Sequence, residues 1–135
     1  MIEKYTVHEQ SRNNNGEETG KTEILYSTSY LSEVGKGNTN FVTQMLKLFV
    51  ELAEQTVSLI TESLKSNDSV RIKQLAHKIK PSVDNMMIEK LKDDVRKLES
   101  FEVNQTNFIE FEELSLYVRD TLRKVIDQIN ENEII

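Results

Sequence analysis

The sequence predicts an all-α domain: an antiparallel up-down-up-down four-helix bundle with a short N-terminal helix. Three observations carry this. All four glycines lie at or before Gly37 and the single proline is Pro81, so roughly a hundred residues pass with one helix breaker. Apolar residues in that stretch recur at three- and four-residue spacing. Short polar segments, Ser66-Asn67-Asp68 and Asn104-Gln105-Thr106-Asn107, separate the periodic stretches, and connections this short force neighbouring helices antiparallel.

Residues 1–22, with Asn13-Asn14-Asn15-Gly16 and Glu17-Glu18-Thr19-Gly20, read as a polar tail ahead of a domain over 23–133. A short helix is expected over 22–34, ended by Gly35-Lys36-Gly37. The first long helix, 39–66, is expected to bury Phe41, Met45, Leu48, Leu52, Leu59 and Leu64. The second spans 69–85, with Ile72, Leu75, Ala76, Ile79, Val83 and Met86 on one arc. A third, 88–103, carries Ile88, Leu91, Val95 and Leu98. The fourth, 108–131, carries Phe111, Leu114, Val118, Leu122, Val125 and Ile129. No repeat is present and no heptad run demands a coiled-coil dimer, so a monomer is expected.

At 135 residues the chain can bury one core without staples. It is 37% hydrophobic and 30% charged, an ordinary globular composition. The absence of cysteine excludes disulfides, thiolate catalysis and Cys-ligated zinc, and a cytoplasmic setting is the default. Residues 1–20 hold no apolar run, so neither a signal peptide nor a membrane span is expected. A net charge of −6 argues against nucleic acid as a partner. Against that acidic background, residues 71–80 hold Arg71, Lys73, Lys78 and Lys80 with no acid.

The single histidine of the helical region lies within that basic stretch. On a helical wheel His77 points roughly 150° away from the centre of the apolar arc of its helix, so its ring is expected to face solvent. Its helical neighbours include Lys73, Lys80, Pro81 and Asp84, with Lys78 beside it in sequence. A neutral imidazole, with an ordinary pKa of about 6.5, offers one ring nitrogen to a phosphorus centre without a base to strip it first. The competing reading is a surface histidine among solvating lysines. His8 lies in the polar tail and is expected to be inert. Glu99 falls about 60° from the middle of the third stripe, at the edge of a buried face where a charge needs a partner. His77 and Glu99 are about equally far in sequence from the turn near 86–88, so they are expected at similar height. Pro81 deprives the His77 carbonyl of its i+4 donor. It either opens the surface for a partner or forms an adapted kink.

The run Ala76-His77-Lys78-Ile79-Lys80-Pro81-Ser82 resembles the signature of histidine-phosphotransfer (HPt) domains, Ala-His-x-Leu/Ile-Lys, a small residue, then Ser or Ala. Tyr30-Leu31-Ser32-Glu33-Val34 is similar to the family's lead-in, and Gly35-Lys36-Gly37-Asn38 to its Gly-Gly-Asp turn. Phe41 to Phe49 is similar to the start of its first long helix, and Leu91 to Glu99 to the segment ending in Leu-Glu. The likeness covers residues 28–100. Two positions depart from it: Pro81 and Met87 stand where most or many members have Gly, which bears on access to His77.

The resemblance implies a phosphocarrier of two-component phosphorelays. His77 would accept a phosphoryl group from a receiver-domain aspartate and pass it to a response regulator. It implies Lys80 and Lys78 as the cations that stabilise the transferring group, with Lys73 a weaker third, and Glu99 as the acceptor that orients the other ring nitrogen. Lys78 as a mere solvating residue, and Glu99 as a boundary glutamate paired with a lysine, stay open. Response-regulator receiver domains and hybrid histidine kinases are the implied partners. No cofactor is expected on this chain, since magnesium comes with the receiver, and nothing in the sequence resembles a metal site. No Gly-rich phosphate loop is present, so autonomous kinase activity is not expected. Met1 favours a free-standing carrier over the end of a hybrid kinase. The alternatives are a non-transferring adaptor that binds receivers or kinases, with Pro81 and Met87 blocking chemistry, and an unrelated helical interaction module.

Overall fold

In the computed structural model, which describes residues 23–135, the described residues form five helices and no strand, joined by short turns and loops. They are α1 (Ser29–Val34), α2 (Thr39–Lys65), α3 (Ser69–Asn85), α4 (Glu89–Ser100) and α5 (Phe108–Asn132). Each long helix packs on the next, α5 returns to α2, and α1 lies on α2. The ring of neighbours encloses one apolar core, a four-helix bundle. Contacts between His77 and Glu99 and between Asp84 and Arg96 link α3 and α4 with residue numbers running in opposite senses, so these two helices are antiparallel.

Residues 23–28 are not helical, which shortens the expected 22–34 helix to Ser29–Val34. Distant groups satisfy their backbone. The Leu25 N–H donates to Gln128 Oε1 at 2.9 Å, Gln128 Nε2 donates to the Glu23 carbonyl at 2.6 Å, and the Ser27 N–H donates to the Met86 carbonyl at 2.9 Å. These bonds hold the segment across the α3–α4 turn and the end of α5, where Leu25 and Tyr26 are buried. Tyr26 Oη donates to Glu133 Oε2 at 2.7 Å. Burial, then Glu133, pushes the phenol up to about 12. The tail 1–22, including His8, lies outside the described residues.

At the start of α2, Asn38 Oδ1 accepts from the Phe41 N–H at 3.1 Å, an N-cap that satisfies an orphan donor. A Cβ on Gly35 would lie 2.5 Å from the Phe41 ring, and Gly37 has φ +79°, so this turn needs both glycines. The core face of α2 is Leu46, Phe49, Val50, Ala53, Thr56, Val57, Ile60 and Ser63. None of the six residues expected there is fully buried, and Leu48 is 58% exposed. The helix carries two adjacent apolar arcs. The inner one contains small and polar residues, whereas the flanking one holds the long leucines and so dominates the spacing pattern.

The turn after α2 closes with the Asp68 N–H on the Ser63 carbonyl at 2.8 Å and Asn67 at φ 55°, a Schellman-type end. Asp68 then caps α3 by accepting from the Arg71 N–H at 3.0 Å. Helix α3 runs unbroken through Pro81 and buries Ile72, Ala76, Ile79 and Val83. Its end repeats the device: the Ile88 N–H reaches the Val83 carbonyl at 3.1 Å and Met87 sits at φ 53°. Ile88, Leu91, Val95 and Leu98 are all buried, as expected, but α4 stops at Ser100, not 103. The chain turns extended at Phe101, whose ring meets Phe111 edge-on at 5.2 Å between centroids. All six stripe residues expected in the fourth long helix are buried in α5.

Candidate functional site

The apolar arc of α3 fixes what its other face presents. With Ile72, Ala76, Ile79 and Val83 against the core, the His77 side chain is 71% exposed, as the wheel requires. Helix α4 brings Glu99 to the same height. Its neighbour Leu98 is buried, which anchors the backbone and places the carboxylate at the rim. His77 Nδ1 makes a close hydrogen bond with Glu99 Oε1. Lys80 Nζ donates to the second oxygen, Oε2, at 2.8 Å. Lys80 and Glu99 are only 28% and 24% exposed, so this pair is more sheltered than the ring it supports.

The electrostatics follow from the geometry. Lys80 first, and His77 second, hold the Glu99 carboxyl below the usual carboxylate range. An ionised carboxylate only accepts hydrogen bonds, so Nδ1 must be the nitrogen that carries hydrogen. In the neutral ring Nε2 then keeps the lone pair. An acceptor on one nitrogen of an imidazole fixes the tautomer and the orientation of the ring.

A further ion pair holds the two helices in register. Arg96 Nη2 and Nη1 donate to Asp84 Oδ2 and Oδ1 at 2.6 and 3.1 Å, and Nη1 also reaches the Lys92 carbonyl at 3.0 Å. The guanidinium holds the Asp84 carboxyl below its ordinary value. Equal distance from the turn levels Asp84 with Lys92, one turn before Arg96, so the count that sets His77 beside Glu99 does not give this pair; the long Arg96 side chain reaches back a turn to make it.

Of the residues singled out from sequence, His77, Lys80 and Glu99 come together, and Lys78 is exposed and makes no ion pair among the described residues. Lys73 lies with Val70, Gln74, His77 and Glu99 along an open groove of about 360 Å³. Pro81 is exposed one turn from His77. Met87 is in the α3–α4 turn, with its sulfur accepting from Ser29 Oγ at 3.2 Å. Its position answers a backbone need, not one of the histidine face. Among the described residues, no group of three or more His, Cys, Asp or Glu could hold a metal ion. No described helix is long and apolar enough to cross a membrane.

Residues 44–132 match the family profile of the Hpt domain, a span that takes in α3, α4, the whole of α5 and most of α2. The match covers more than half of the 135 residues, and the chain belongs to the Hpt domain family. Comparison with curated proteins gave no match, and comparison with solved structures gave none. Membership implies a role in phosphorelay signalling, in which Hpt domains generally interact with receiver domains and kinases.

Proposed function

We propose that this chain is a histidine phosphocarrier that accepts a phosphoryl group on His77 Nε2 from a receiver-domain aspartate and passes it to a response regulator. One observation carries the reading: an exposed imidazole whose Nδ1 is engaged by a carboxylate that is itself held by a lysine. In the forward step the Nε2 lone pair forms an N–P bond while the P–O bond to the aspartate breaks. The electron pair of that bond leaves on the aspartyl carboxylate. The ring keeps its hydrogen on Nδ1 and so becomes cationic, and the Glu99 carboxylate beside it offsets that charge as it develops. Reversal onto a second receiver's aspartate restores the neutral ring.

The chain supplies position and charge, and the receiver supplies magnesium. Receiver docking is expected around His77 on α2 and α3, where Val70 exposes apolar surface, 64%, along the groove that Lys73 and His77 also line. A positive field facing an acidic metal pocket suits a transient contact of under about 1,200 Å². We place the working form in the cytoplasm as a monomer.

The test is incubation with a phosphorylated receiver domain. Acid-labile phosphate should appear on the wild-type chain and not on His77→Gln, with the helical circular-dichroism signal unchanged. Receiver binding without transfer would make the chain an adaptor and defeat the proposal.

A further inference from the structure

Three lysines surround His77, and they are not equivalent. Lys80 is committed: its Nζ lies 2.8 Å from Glu99 Oε2, on the Nδ1 side of the ring. Its ammonium has three N–H donors and one is already engaged by Glu99, so a phosphoryl group would have to share it with the carboxylate whose charge it offsets. Lys78 follows His77 in sequence, about 100° around the helix, and does not line the groove that holds the ring. Lys73 does line it, four residues before His77 on the same face of α3. Its side chain is half-buried and makes no ion pair or hydrogen bond among the described residues. Val70, one turn further back, is an apolar wall of the same groove. A cation against an apolar wall acts on a neighbouring charge with less solvent screening than one in open water.

We infer that Lys73 is the cation that contacts the phosphoryl group on His77, and that Lys80 is a positioning residue acting through Glu99. This rests on the carrier reading above. The division of labour has a structural logic: one lysine holds the carboxylate that orients the nucleophile, and another meets the incoming charge outside that arrangement.

A small phosphodonor separates this contact from receiver docking. Phosphoramidate transfers its phosphoryl group by the same attack: the Nε2–P bond forms, the P–N bond of the donor breaks, and ammonia leaves with the electron pair. With phosphoramidate as donor, Lys73→Ala should slow labelling of His77 by about tenfold, and Lys73→Arg should recover most of the rate. The phosphorus-31 pH titration of the labelled chain gives a readout that a merely structural lysine would not move. A contacting cation favours the phosphoryl dianion, so its midpoint should rise in Lys73→Ala, and by more than in Lys80→Ala. A Lys73→Ala variant with wild-type rate and midpoint overturns the assignment while leaving the carrier reading intact. A larger midpoint shift in Lys80→Ala overturns it in favour of Lys80. A wild-type chain that takes no phosphate on His77 from phosphoramidate or from a phosphorylated receiver removes the carrier reading, and this inference with it.

Discussion

Met87→Gly should stabilise the protein and leave transfer untouched. Met87 holds φ 53° at the residue following the C-cap of α3, the left-handed position that side chains with a Cβ occupy at a cost of roughly 1–2 kcal/mol. Glycine removes that cost but loses about 0.5–1 kcal/mol through the extra freedom of its unfolded chain. The side chain is half-buried and its sulfur is a weak acceptor for an exposed serine hydroxyl, so little else is forfeited. The net gain is about 0.5 kcal/mol, or about 2–4 °C in the thermal midpoint. Met87→Ala keeps the strain and loses the side chain, so the glycine variant should exceed it by roughly 1 kcal/mol. Urea and thermal unfolding followed by circular dichroism measure both. Met87 lies ten residues beyond His77, about 15 Å along the helix, so the rate of phosphoryl uptake should not change. A glycine variant no more stable than alanine would refute the strain argument, and a changed transfer rate would return Met87 to the site.

Two further outcomes follow from the hydrogen bonds. Glu99→Gln keeps an acceptor for Nδ1 but removes the charge that offsets the cationic ring, so uptake should slow, and Glu99→Ala should slow it further while nitrogen-15 shifts show hydrogen moving to Nε2; equal rates in all three would detach Glu99 from the chemistry. Tyr26 has its folded pKa raised from 10.0 to about 12, so the contribution from its neutral form is fully present below pH 10 and is lost as pH rises towards 12. Tyr26→Phe should therefore be less stable than wild type near neutrality yet lose less stability across that alkaline window. Parallel pH profiles for the two proteins would contradict the assignment of this titration to Tyr26.

Much of the fold was legible where long apolar side chains and the core arc coincide. That holds for Ile72, Ala76, Ile79 and Val83 in α3, for Leu91, Val95 and Leu98 in α4, and for the whole stripe of α5. It fails in α2, where Ala53, Thr56 and Ser63 occupy the buried face and Leu48 and Leu59 do not. Spacing rules weight size and hydrophobicity, and small polar residues at a helix–helix contact carry no such signal. Residues 23–28 depart from the expected helix because the groups that satisfy their backbone, Gln128 and the Met86 carbonyl, are remote in sequence. At the site, equal distance from one turn was enough to put His77 beside Glu99. Which lysine would be captured by that carboxylate was not, since spacing places Lys73 and Lys80 about equally near the ring and only side-chain geometry separates them.

The most direct test of the central claim is to locate the phosphoryl group on the labelled chain at atomic level. Nitrogen-15 and phosphorus-31 spectra of the protein phosphorylated by a receiver domain should show one N–P bond, at His77 Nε2, with hydrogen retained on Nδ1. Phosphate on Nδ1, on another side chain, or on no residue of the chain would contradict the account.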